Sequence, residues 1–322
     1  MVYKKVYSNS WKLIKSNLHL IIFGLFVSIL GFMQEIKILI NIDKVETDFI
    51  STNIVQWLSI LAKFATENLS WAAFASYMIF FLFAAIALVV SISSQGALIH
   101  SVSGNKKTGK TSSFKKCLQA GVEKFWPLLG MNVLNSLISV FFIIIVIEPI
   151  VYFLSASYVG ELLYLLISIV TFFLLLPLAV VLSFVTRYGA AYIVLKNQKL
   201  TTAFVNAWIL FKINWLVTIE NAILLILFSM VYSLLLSGAI AVALVPLLVL
   251  SILLSFINPI AFSIIFSVGI IAAIIILILG ISLYGAYYNL VWANFFVELT
   301  APGKSHPKIH KIAKKHLPKL AK

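Results

Sequence analysis

The amino-acid sequence predicts an all-α polytopic membrane protein. About six transmembrane helices are expected, as three repeats of an interfacial amphipathic helix followed by a transmembrane hairpin. Three observations predict this. Of 322 residues, 62% are hydrophobic and only 11% charged, against roughly 25% charged in a soluble domain. Between Lys124 and Arg187 the only charges are Glu148 and Glu161, and between Lys212 and Lys304 they are Glu220 and Glu298. Each stretch has room for more than one ~20-residue span. The pattern W-x-x-x-K-x-N occurs at Trp11–Asn17 and again at Trp208–Asn214, each time leading into a long apolar run.

The elements follow in chain order. Tyr7, Trp11, Ile14 and Leu18 fall at i, i+4, i+7 and i+11, on one helical face, with Lys5, Asn9 and Lys12 opposite. The apolar run Leu18–Leu30 lacks a small-x-small exit and is expected to be a retained span rather than a cleaved signal. The mixed-charge segment Asn41–Ser70 is expected to be an outside loop, and a second span ends in SSQGALIHSV. Phe114, Leu118, Gly121 and Phe125 repeat the stripe, with Gly121 as a gap, ahead of spans Pro127–Ile147 and Glu161–Thr186 around a turn near Glu148-Pro149. Phe204, Trp208, Phe211 and Trp215 repeat it a third time. The apolar stretch that follows is expected to hold two long spans joined near Pro246 to Pro259. Four shorter ones, eight in all, are the alternative. Helices with aromatic residues on one side and lysine or amide on the other lie in the membrane interface.

Charge sets the orientation. Of the 24 cations, 21 fall in four clusters: before the first span, after the second, after the fourth, and in the tail. Such clusters stay cytoplasmic, so both termini are expected inside and the number of spans even. Cys117, the sole cysteine, excludes an internal disulfide or a cysteine-based metal cage and is expected to act as a small apolar side chain.

A second landmark supports the repeat. Gly-Ala steps stand at Gly96-Ala97, Gly189-Ala190 and Gly285-Ala286, which lie 85, 71 and 77 residues after Trp11, Leu118 and Trp208. The repeat units are then about 3–103, 111–199 and 200–303, within one membrane domain over 1–303 and ahead of a basic tail, 304–322. With its interfacial helix, Gly-Ala step and hairpin, the chain resembles the membrane domain attached to some bacterial glycerophosphoryl diester phosphodiesterases, and related stand-alone prokaryotic membrane proteins of unknown role. The resemblance covers most of residues 1–300. It implies a fold and the plasma membrane of a prokaryote. No soluble phosphodiesterase segment occurs in these residues, so that activity is not implied.

Candidate sites are few. Gly104–Thr111, GNKKTGKT, satisfies the P-loop pattern letter for letter. A P-loop needs a preceding strand, a following helix and a magnesium-binding aspartate. Here a span precedes it, and Asp43 and Asp48, the only aspartates, are assigned to the other side of the membrane. The match is a coincidence, and no nucleotide or other cofactor is expected. Intramembrane polar groups are the better candidates, since they are costly and often functional. Glu220 and Arg187 are expected either to pair and lock two hairpins together, or to line a cytoplasm-facing cavity with Asn132, Asn135, Asn221 and Asn289. No Ser-His-Asp set or paired carboxylates can be placed together, so no catalytic residue is assigned and the protein is expected to be non-enzymatic. His306 and His310 share a tail with seven lysines, so no metal site is expected. That tail lacks aromatic residues for base stacking, which favours anionic headgroups over nucleic acid as its partner. Tyr7, Trp11, Phe114, Phe125, Phe204, Trp208, Phe211 and Trp215 are the residues expected at the membrane interface. The function expected is lipid or partner engagement at the cytoplasmic leaflet. Small-solute transport through the polar cavity is the alternative.

Overall fold

The computed structural model describes residues 2–28, 71–104, 113–142, 145 and 161–301, and every regular element among them is helical. In order these are α1 (Val2–Ser16), a helical stretch over 20–28, α2 (Trp71–Ser101), α3 (Phe114–Glu123), α4 (Phe125–Phe142), α5 (Glu161–Leu195), α6 (Leu200–Ser255) and α7 (Pro259–Leu299). Among the described residues, five segments are long and apolar enough to cross a membrane: Ala75–Ser101, Phe125–Phe142, Pro177–Leu195, Leu200–Ser255 and Pro259–Leu299. The chain is a multi-pass helical membrane protein. The expected loop at 41–70, the GNKKTGKT segment beyond Gly104, the turn at Glu148-Pro149 and the tail from 304 lie outside the described residues.

Three amphipathic helices do precede apolar ones, and each junction is a backbone break. Asn17 interrupts the helix after α1, Lys124 is a turn between α3 and α4, and Asn214 leaves helical geometry inside α6 (φ −118°, ψ 25°). These positions stand six residues after Trp11, Leu118 and Trp208. Asn17 and Asn214 also make the same local bond: Nδ2 donates to the carbonyl four residues back, at 2.9 Å to Leu13 and 3.1 Å to Leu210. An asparagine that satisfies a local carbonyl with its side chain competes with the regular helix and turns the chain there.

After Asn214, α6 runs unbroken to Ser255, through Pro246. The connection expected over Pro246 to Pro259 is therefore only the turn Phe256–Asn258. Asn258 is the N-cap of α7: its Oδ1 accepts from Ile260 N at 2.9 Å, with Pro259 in the first turn. Asn258→Ala removes that acceptor and should cost about 1 kcal/mol, read as a lower unfolding midpoint in detergent. The two arms of this hairpin, 215–255 and α7, are each about 61 Å long. That is about twice the hydrocarbon core of a bilayer, an excess that tilt or extension beyond the core accommodates.

Contacts divide the chain into two units. The first holds the described parts of Met1–Ser28, Ser94–Gly121 and Leu210–Lys322, and so draws on all three of the expected repeat units; the second holds those of Ile29–Ser93 and Val122–Ile209. In the first, α1 lies along the C-terminal half of α7, and stretch 20–28 packs on the same helix. The approach is backbone to backbone. A Cβ on Gly24 would run into the Ser282 carbonyl and lie 2.6 Å from Ala286 N, and one on Gly285 would meet Ser28 Oγ and, at 2.7 Å, Gly24 O. Small residues permit this contact between helices in lipid, where no hydrophobic force drives association.

In the second unit α4 packs on α5. Met131 fills the space a side chain at Gly189 would take. Lys124 donates from Nζ to Asn197 Oδ1, joining the α3–α4 break to the end of α5. Asn197 itself is left-handed (φ 52°), and Gln198 N returns to Tyr192 O at 3.3 Å, closing the C-terminus of α5. All three Gly-Ala steps are buried and lie inside helices rather than at their ends.

Candidate functional site

The stripes expected at the membrane are rotated from those that face protein. On α1 the buried positions are Val6, Ser10 and Ile14, so Ile14 of the expected stripe points inward, while Trp11 stays 40% exposed and Leu18, just beyond the helix, is exposed. Ser10, Cys117 and Ala207, each one position before the landmark, are all fully buried. A small residue at that place lets the helix settle on its neighbours. That small residue is visible in the sequence, but the aromatic periodicity points to its neighbour instead. Burial pushes the Cys117 thiol up, consistent with a small apolar role.

The eight interface candidates divide accordingly. Trp11, Phe114, Trp208 and Trp215 are exposed along the edges of the buried strips. Phe125, Phe204 and Phe211 are half-buried. Phe114 also stacks on Phe23 at 4.8 Å, nearly parallel. Tyr7 is directed into protein: its ring meets Tyr287 edge-on at 6.4 Å, and its hydroxyl lies 3.3 Å from Asn221 O and 3.4 Å from Asn221 Oδ1. Burial, with the Tyr287 and Tyr284 phenols nearby, pushes the Tyr7 hydroxyl well above its ordinary range, so it remains a donor at neutral pH.

The polar candidates also separate. Glu220, Asn221 and Asn289 belong to the first unit; Asn132, Asn135 and Arg187 belong to the second. Glu220 accepts from Tyr3 Oη at 2.5 Å, a partner sequence reasoning did not select. Asn132 and Asn289 both use Nδ2 on the carbonyl four residues back in their own helices, each at 2.9 Å. Asn221 is fully buried and its Nδ2 has no hydrogen-bond partner among the described residues; Asn135 Oδ1 is likewise buried without one.

What the structure does assemble is a latch at the base of the α6–α7 hairpin. Tyr3 reaches Glu220 and stacks on Phe295 at 6.3 Å. Asn294 Nδ2 donates to the buried Ser10 Oγ at 3.0 Å. Lys5 pairs with Glu298 at 2.9 Å, and Trp11 meets Tyr287 edge-on at 6.0 Å. None of these pairs is near in sequence, which is why periodicity did not show them. No protein-family model, curated protein or solved structure matches this chain. Among the described residues, no three His, Cys, Asp or Glu side chains come together.

Proposed function

We propose that this chain is a non-enzymatic plasma-membrane protein of a prokaryote, built of three repeats and six spans. Its amphipathic helices and basic tail engage the anionic headgroups of the cytoplasmic leaflet. The observation that carries the reading is the three-sided character of these helices. A strip centred on Ser10, Cys117 or Ala207 is buried, Trp11, Phe114, Trp208 and Trp215 are exposed beside it, and the polar side carries lysines on α1 and α3 and Thr202, Asn206 and Lys212 on α6. Tryptophan prefers the headgroup level and lysine the anionic surface just outside it. Breaks at Asn17, Lys124 and Asn214, and three buried Gly-Ala steps, support the repeat. They also support the resemblance to the membrane domain of glycerophosphoryl diester phosphodiesterases. Replacing Trp11, Trp208 and Trp215 together with alanine should cut the anionic lipids retained in native mass spectrometry by about half or more, each exposed indole contributing of the order of 1 kcal/mol at an interface. Undiminished retention would count against this role.

One observation favours a second reading. Asn221 Nδ2, buried beside Glu220 and without a partner among the described residues, is the kind of donor a transported solute would satisfy. Transport predicts that Glu220→Gln abolishes flux while the protein stays folded.

A further inference from the structure

We propose that the polar side of α1 is a site for a phosphomonoester lipid headgroup, a proposal that rests on the leaflet-engagement reading above and makes it specific. Lys4, Lys5, Ser8, Asn9 and Lys12 line a shallow depression on the surface of this helix. Their spacing makes two adjacent rows: Lys4, Ser8 and Lys12 at i, i+4 and i+8, and Lys5 and Asn9 beside them. The rows lie on the side of α1 opposite its buried Val6, Ser10 and Ile14, with exposed Trp11 at the boundary. Lys5 already answers Glu298 at 2.9 Å. The charge left to a ligand is the Lys4–Lys12 pair, one turn to either side of Ser8.

Lys12 leans back along the helix toward Ser8 and the long flexible stem of Lys4 reaches it from the other side, so their ammonium groups can close on one anion seated over the Ser8 hydroxyl, with the Asn9 amide as a further donor. Two ammonium groups match a dianion. A phosphomonoester carries −1.5 to −2 at neutral pH, whereas the phosphodiester of an ordinary anionic lipid carries a single charge. The other two amphipathic helices lack this arrangement. On α3, Lys115 and Lys116 are adjacent with Glu123 on the same helix, and residues 200–213 of α6 hold one lysine, Lys212. Of the three, α1 alone has a lysine, a hydroxyl and a lysine in one row.

The test uses the full chain in phosphatidylcholine nanodiscs containing equal fractions of phosphatidic acid and phosphatidylglycerol, with retained lipids counted by native mass spectrometry. The wild-type protein should retain phosphatidic acid about fivefold over phosphatidylglycerol, the ratio expected for one extra charge near the lysines. Lys4→Gln/Lys12→Gln should bring that ratio to parity. Lys115→Gln/Lys116→Gln, which removes the same charge from α3, should leave it unchanged. Equal retention of both lipids by the wild type, or equal loss of preference in both variants, would overturn the site and leave diffuse leaflet engagement standing. Retention of no anionic lipid at all would overturn the leaflet reading itself. Loss of the preference in millimolar inorganic phosphate would assign the site to a soluble anion and overturn the lipid assignment.

Discussion

Gly285→Ala and Gly24→Ala should each lower the thermal midpoint of the detergent-solubilised protein, while Gly238→Ala raises it. All three glycines lie in apolar helical segments, where glycine is ordinarily the poorer helix former by about 0.5–1 kcal/mol. At Gly238 nothing lies within 4 Å of the added methyl, so the helix gains that amount. At Gly24 and Gly285 the methyl meets backbone atoms of the facing helix and Ser28 Oγ. Backbone cannot rotate aside as a flexible side chain can, so stretch 20–28 and α7 must separate. Overpacking of that kind costs about 1–3 kcal/mol, enough to outweigh the propensity gain and reverse the sign. Three shifts of the same sign would mean that the close approach of these helices is not what holds them.

The latch between α1 and the hairpin base should respond to Tyr3→Phe and Glu220→Gln as one unit. The phenol donates to a carboxylate, and a hydrogen bond to a charged group contributes about 1.5–3 kcal/mol. Glu220 is partly exposed, so the lower end applies. Each single variant should speed amide exchange across α1, and the double variant should add little beyond either one, a non-additivity that a double-mutant cycle measures directly. Additive effects would mean that Tyr3 and Glu220 act separately. The same Glu220→Gln protein decides between a structural carboxylate and a transport site. A structural one loosens α1, whereas a transport site loses flux with the exchange of α1 unaltered.

Much of this protein is legible one residue at a time. Sparse charge over 124–187 and 212–304 marks a membrane chain without reference to any contact, because hydrocarbon excludes unpaired charge whatever the fold. W-x-x-x-K-x-N places two of the three helix breaks, because its asparagine turns the chain through a side-chain bond to the carbonyl four residues back. The Gly-Ala step at Gly285 marks a place where the facing backbone leaves no room for a side chain. The hairpin turn was less legible: Pro246 reads as a breaker, yet in a long apolar helix it is carried through, and the cap at Asn258 ends the connection instead.

Which face of each amphipathic helix meets protein was decided only by the tertiary structure. In water an apolar stripe has one destination, the core, and periodicity locates it. In a membrane it has two, because lipid tails are as apolar as a protein interior. Trp11 and Ser10 are neighbours on α1; the first stays exposed and the second is fully buried. Hydropathy alone would assign them the other way round. Burial of Ser10 follows from Asn294, 284 residues away, donating to its hydroxyl. The Tyr3–Glu220 bond has the same origin. Composition determined that this chain lies in a membrane, and a repeated motif marks two of its helix breaks. The choice between lipid and protein for each face rested on partners that only the folded chain brings together.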